Sequence, residues 1–188
     1  MAPRLYYIMG ASGAGKDSLL QYARENLKKG SSILFAHRYI TRPADAGGEN
    51  HIALSQEEFL LREKTDCFAM TWESHGFKYG IGIEIDDWLA RGADVVVSGS
   101  RGHFQEAAAR YDAIYPVLVT VSPEILKSRL EARGRETVAQ IENRLIRGEA
   151  FESISHPQLA RIRNDGAIEK AGRVFIDLLA GSEISSCA

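Results

Sequence analysis

The hydrophobic pattern begins with Leu5-Tyr-Tyr-Ile-Met9, an apolar, aromatic-rich run that reads as a strand buried on both faces. A glycine-rich stretch follows, and then Ser18–Leu27 carries helical spacing. Ile33–Ala36 reads as a second strand. From His37 to Gly82 the pattern breaks into polar sequence punctuated by Gly47-Gly48, Gly76, Gly80 and Gly82. Inside it, Ser55-Gln-Glu-Glu58 opens a short helix with a capping box, and Phe68–Trp72 and Phe77–Ile81 read as short strands. This segment, about 37–82, reads as an inserted, mixed α/β acceptor subdomain.

Regular alternation then resumes. Asp86–Ala90 reads as a helix, Ala93–Val97 as a buried strand, His103–Tyr111 as a helix and Ile114–Val121 as a strand. Pro123 stands at the start of a helix running to Ala132. Arg133-Gly-Arg135 interrupts, and Val138–Phe151 is helical again. Leu159–Arg163 is a last strand, Ala167–Leu179 a last helix, and 181–188 a frayed tail. Strands alternating with helices predict one α/β domain over 1–180, its parallel sheet covered on both faces, with ligands beyond the C-terminal strand ends.

The stretch between the first strand and first helix carries the chemistry. Gly10, Ala11, Ser12, Gly13, Ala14, Gly15, Lys16, Asp17 and Ser18 contain G-x-x-x-x-G-K in a strand–loop–helix context. Glycines let backbone N–H groups turn inward around a phosphate, and the helix N-terminus adds its dipole. Lys16 supplies a charge for the β- and γ-phosphates. The reading is a P-loop that binds ATP. The residue after the lysine is usually Ser or Thr, whose hydroxyl holds Mg²⁺. Here it is Asp17, which is either a carboxylate ligand of Mg²⁺ or the helix N-cap.

Composition narrows the class. The 188 residues carry a net charge of −2, which gives no general pull toward nucleic acid or an anionic membrane. Cys67 and Cys187 have no metal-ligand or C-x-x-C spacing, which fits a reduced, cytoplasmic protein. Residues 1–9 are too short for a signal peptide, and no apolar run approaches membrane-spanning length.

A second cluster is Arg129, Arg133, Arg135, Arg144 and Arg147, on two helical stretches that meet at Gly134. It reads either as a lid over phosphates, about 129–147, or as a solvated face paired with Glu131, Glu136 and Glu142. With a phosphate loop in the same chain, the lid is favoured.

Together these motifs resemble the guanylate kinase family over most of the chain. The matching stretches are the phosphate loop, Thr41-Arg-Pro43, Gly48-Glu49, Ser55-Gln-Glu-Glu-Phe59, Gly76-Phe-Lys-Tyr-Gly80, Arg129-Leu-Glu-Ala-Arg-Gly134, Arg144-Leu145 and Asn164-Asp165. The departures fall where that family reads guanine and its phosphate. Its second arginine after T-R-x-P falls on Asp45, and its tyrosine before S-x-E-E-F falls on His51. Its guanine-reading glutamate falls near Met70 or Thr71, and its D-x-D falls on Ser98 and Ser100.

Gly15-Lys-Asp-Ser18, Tyr79–Asp86, Ser98-Gly-Ser-Arg101, Val121–Leu126 and Asn164-Asp-Gly166 are similar to the ribose 1,5-bisphosphate phosphokinases of phosphonate catabolism, relatives of the guanylate kinases. That resemblance implies transfer of the ATP γ-phosphoryl to the 1-phosphate of a small sugar bisphosphate. It implies Lys16, Arg133 and Arg144 as catalytic residues, and Arg129 and Asn164 with the phosphate loop at the nucleotide. It also implies Arg42, His51, Tyr79, Ser98, Ser100 and Arg101 at the acceptor, with Arg101, His103 and Lys78 as cations available for the distal phosphate. Asp17 is in keeping with the group as a Mg²⁺ ligand. The competing readings are a nucleoside-monophosphate kinase of altered base preference and a non-catalytic binding module. The second sits poorly with the retained Gly15, Lys16 and Arg133.

Overall fold

A computed structural model describes residues 2–44, 50–134, 141 and 154–181. In chain order the strands are β1 (Leu5–Gly10), β2 (Ile33–Phe35), β3 (Arg38–Ile40), β4 (Ile52–Ala53), β5 (Phe68–Ser74), β6 (Phe77–Gly82), β7 (Asp94–Ser98), β8 (Ile114–Thr120) and β9 (Ala160–Arg163). The helices are α1 (Lys16–Asn26), α2 (Gln56–Lys64), α3 (Glu84–Ala90), α4 (Phe104–Arg110), α5 (Pro123–Arg133) and α6 (Ile168–Leu179). The chain divides into two compact units, one of Met1–Tyr7 with Lys28–Tyr115, the other of Ile8–Leu27 with Pro116–Ala188. The strand β1 passes from the first into the second.

In the first unit, strands run in the order β2-β7-β1, and β2 pairs with β7 in parallel from Ile33↔Asp94 to Phe35↔Val96. Val95, Val96 and Val97 are buried, as expected of a parallel strand covered on both faces. A second sheet, ordered β4-β3-β6-β5, lies in the inserted segment. Its β3 pairs antiparallel with β6 and its β5 antiparallel with β6, Trp72 opposite Tyr79. Sequence periodicity predicts β5 and β6 but not β3 and β4. Two and three residues are too few to display a period, and β3 opens on an arginine. The helix α2 begins as the capping box predicts, with Ser55 Oγ accepting the Glu58 N–H at 3.1 Å.

In the second unit the order is β1-β8-β9, with β8 and β9 parallel from Val117↔Ala160 to Thr120↔Arg163. The amphipathic helix α6 buries Ala171, Phe175 and Leu179, spaced by one turn, and packs on α1, which buries Leu19, Leu20 and Ala23. Pro123 takes the first position of α5 as predicted, and α5 ends at Gly134 in the left-handed conformation. The proposed lid continues beyond that point. Arg135, Arg144 and Arg147, and the side chain of Arg133, lie outside the described residues, as does Asp45. Ile141 is described: it is buried against Leu126 and Leu130 of α5.

Candidate active site

The second unit carries the glycine loop. The helix α1 starts at Lys16, two residues earlier than its apolar spacing predicts, because Gly15 supplies a left-handed N-cap (φ 87°). Gly15 has no side chain to bond the first turn, so the amide N–H groups there stay available to an anion at the positive end of the helix. Asp17 therefore sits inside the first turn, and the N-cap reading of Asp17 is corrected by this geometry. Burial lowers the pKa of Arg24, and the negative charge of Asp17 opposes that shift only in part. Lys16 Nζ curls back over the loop and donates to Gly10 O at 2.9 Å and Ala11 O at 3.0 Å.

The loop is held from behind. Asn164 is buried; its backbone N–H donates to Thr120 O at 2.9 Å and its Nδ2 to Ala14 O at 2.8 Å. A methyl group on Gly15 would overlap Asn164 Nδ2 and come 3.7 Å from Arg129 Nη1. Gly15→Ala is therefore expected to lower the melting temperature by several degrees, since a left-handed non-glycine residue alone costs roughly 1–2 kcal/mol, and to weaken ATP binding in the same protein. Differential scanning fluorimetry with and without ATP checks both effects. A methyl group on Gly10 would likewise run into Val119 O, which is backbone and cannot turn aside.

Two polar atoms at this loop are buried without a hydrogen-bond partner among the described residues: Arg129 Nη1 and Asn164 Oδ1. Native interiors rarely leave such groups unmet, so a donor and an acceptor beside a phosphate loop mark a place for a polar ligand. Asp165 supports the arrangement. Its Oδ1 accepts the Ser122 N–H at 2.7 Å, fixing the entry to α5 and hence Arg129. That bond, aided by Arg163 and opposed by slight burial, holds the Asp165 carboxyl below its ordinary pKa. The motif Asn164-Asp165 was visible in the sequence; the tie from Asp165 to α5 was not.

Among the described residues no three His, Cys, Asp or Glu side chains gather into a metal cluster. Mg²⁺ commonly takes one or two carboxylates together with substrate phosphates, so Asp17 next to the loop suits that chemistry and an all-protein cage is not needed.

The acceptor candidates belong to the first unit. Arg42 follows β3, and its carbonyl accepts a hydrogen bond from Nε2 of buried His51 at 3.0 Å. Tyr79 is buried, stacked on Trp72 (centroids 5.5 Å apart, planes 6°), with Arg38 on its ring at 5.7 Å. Trp72 in turn stacks on His103 at 5.7 Å, so Tyr79, Trp72 and His103 form a ladder that sequence spacing did not reveal. Ser98 closes β7, and its buried Oγ has no hydrogen-bond partner among the described residues. Ser100 and Arg101 form the turn into α4, and burial lowers the pKa of the Arg101 guanidinium.

Two of the candidate cations have other engagements. Lys78 pairs with Glu63 at 3.3 Å and Glu73 at 3.2 Å, and the Glu73 bond leads in raising its pKa. His103 Nδ1 lies 3.2 Å from Glu106, and burial outweighs that carboxylate in lowering the His103 pKa. A cleft of about 350 Å³ is lined by Met70, Thr71, His103, Glu63, Glu106 and Arg110, among others. Its carboxylates Glu63, Asp66 and Glu106 offset the charges of His103 and Arg110. Met70 and Thr71, near one of which the guanine-reading glutamate of guanylate kinases falls, both line this cleft.

Comparison with known proteins agrees with these features. The family model described as "AAA domain" matches residues 7–148. In solved structures, guanylate kinase from Anaplasma phagocytophilum shares the fold, with a TM-score of 0.69 at 16% identity, covering 99% of this chain and 88% of that one. Ribose 1,5-bisphosphate phosphokinase PhnN of Desulfomicrobium baculatum is 50% identical over 182 residues, 97% of each chain. The protein of the same name from Chromobacterium violaceum is 51% identical over 177 residues, 94% of each. No helix among the described residues is long and apolar enough to cross a membrane. With half of its residues shared over nearly its whole length, and with a P-loop kinase fold around them, this chain belongs to the ribose 1,5-bisphosphate phosphokinase PhnN family.

Proposed function

We propose that this protein transfers the γ-phosphoryl group of ATP to the 1-phosphate of ribose 1,5-bisphosphate, giving 5-phosphoribosyl 1-diphosphate and ADP. The observation that carries the substrate is the 50% identity, over 97% of both chains, to a protein named for that acceptor. The glycine loop, with a helix start that no side chain caps and with Arg129 and Asn164 atoms that lack a hydrogen-bond partner among the described residues, supports a nucleotide as the donor.

In this reaction an oxygen of the 1-phosphate attacks the γ-phosphorus, and the bond from that phosphorus to the β-bridging oxygen breaks. A phosphate monoester has a second pKa of about 6, so the attacking oxygen is already ionised at neutral pH and needs no general base. The requirement is charge neutralisation and alignment. Lys16 serves the β- and γ-phosphates. Arg133 and Arg144 serve the charge spread over the transferring group. Arg129 and Asn164 hold the nucleotide against the loop. Mg²⁺, carried by Asp17 and the phosphates, would offset further negative charge. Arg42, His51 and Tyr79 are assigned to the 1-phosphate, and Ser98, Ser100 and Arg101 to the 5-phosphate end.

Replacing Asp17 with serine is expected to retain ATP binding but shift the Mg²⁺ and Mn²⁺ dependence of the rate, because a neutral hydroxyl replaces a carboxylate. Metal titrations of initial rate check this. Identical profiles would remove Asp17 from the metal site, since Gly15 already fills the cap. Arg101→Ala is expected to raise KM for the bisphosphate about tenfold, with KM for ATP unchanged, the pattern of lost uniform binding. ADP release across a panel of ribose 1,5-bisphosphate, ribose 5-phosphate, GMP and AMP tests the function as a whole. Strong stimulation by the bisphosphate supports it, and stimulation by a nucleotide alone defeats it.

A further inference from the structure

Tyr7 lies on β1, 93 residues before the turn it serves, and is fully buried. Its Oη donates to Ser100 O at 2.8 Å and accepts the Ser100 N–H at 3.0 Å. One phenol thus satisfies both backbone groups of a single residue just past the end of β7, where a strand partner would otherwise be needed. The ring is wedged as well. It packs on Phe104 of α4 at 5.8 Å, and a methyl group on Gly99 would overlap it. The turn is further closed by Gly102 N–H to Ser100 Oγ at 3.2 Å and His103 N–H to Ser100 O at 3.3 Å. The residues flanking this clamp are Ser98, whose buried Oγ has no hydrogen-bond partner among the described residues, and half-buried Arg101.

We propose that Tyr7 is a positioning residue for acceptor recognition, its hydroxyl holding the 98–101 turn so that Ser98 and Arg101 meet the distal phosphate of the sugar bisphosphate in a preformed geometry. This rests on the assignment of that turn to the acceptor. Fixing the turn before binding removes the ordering cost from each binding event, so the effect falls on acceptor affinity. A residue serving only the general fold would not single out one substrate.

The test is steady-state kinetics with ribose 1,5-bisphosphate and ATP-Mg²⁺ on Tyr7→Phe, Gly99→Ala, Arg101→Ala and the double variant Tyr7→Phe/Arg101→Ala. Tyr7→Phe keeps the ring and loses only the hydroxyl. It is expected to raise KM for the bisphosphate about tenfold, with kcat and KM for ATP within about twofold of the parent. Gly99→Ala, which displaces the ring by another route, is expected to give the same signature. Because Tyr7 acts in part through Arg101, the double variant is expected to raise KM for the bisphosphate by clearly less than the product of the two single effects. Effects that multiply in the double variant would overturn the positioning role. So would an unchanged KM in Tyr7→Phe and Gly99→Ala while Arg101→Ala raises it, a result that would leave the acceptor site itself standing. An unchanged KM in Arg101→Ala would instead bring down the acceptor assignment of the turn, and this proposal with it.

Discussion

Replacing Lys16 with alanine is expected to lower the rate of phosphoryl transfer on the order of 10³-fold or more while leaving the protein folded. The magnitude follows from removing one charged group aimed at the transferring phosphoryl, where single positive side chains commonly contribute 10³-fold and upward. The fold survives because Lys16 is only partly buried. Its ammonium bonds to Gly10 O and Ala11 O, part-exposed contacts from a charged donor that contribute roughly 1–3 kcal/mol each, less than the stability of a domain of this size. In a domain of this size, about 1 kcal/mol moves the melting temperature by roughly 2–4 °C. Initial rates and a melting curve on the same preparation check both halves. Near-parental turnover would remove the loop from the chemistry.

The second large effect is in substrate choice. GMP is expected to be used at least ~10⁴-fold less efficiently than ribose 1,5-bisphosphate, by the ratio of kcat/KM, the scale on which a hydrogen-bonding site rejects a ligand it does not match. Guanine presents N–H donors that need carboxylate acceptors. The guanine-reading glutamate of guanylate kinases falls near Met70 or Thr71 of this chain, and their D-x-D falls on Ser98 and Ser100. Met70 is buried on β5, and Ser100 is already occupied on both backbone groups by Tyr7. A nucleobase entering there would leave its donors unmet. Competition experiments with both acceptors in one vessel measure the ratio, and a ratio within about tenfold of unity would contradict the assignment.

Features carried by long or punctuated stretches were legible before the structure. The apolar run of β1, the valines of β7, Pro123 at the head of α5 and Ser55 at the head of α2 each announce themselves within a few residues. The phosphate loop is equally local, and so were Lys16 and the glycines. What escaped depends on partners distant in sequence or on conformations that composition does not encode. Gly15 as a left-handed cap shifts the start of α1 and moves Asp17 from a cap into the first turn. The strand β3 exists because β6 lies beside it, and three residues beginning with Arg38 give no period to read. Lys78 looked available for an anion until Glu63 and Glu73 came within ion-pair distance. Asp165 reaches back 43 residues to Ser122, and Tyr7 reaches forward 93 to Ser100. Neither tie leaves any local mark.

The central claim is that the phosphoryl group lands on the 1-phosphate. Phosphorus NMR of ribose 1,5-bisphosphate incubated with ATP-Mg²⁺ and the protein tests it most directly. The expected spectrum shows two coupled diphosphate resonances arising at carbon 1, the 5-phosphate resonance persisting as a monoester, and ADP forming in equal amount. A new diphosphate at carbon 5, or ADP formed only with free phosphate while the bisphosphate remains intact, would contradict it.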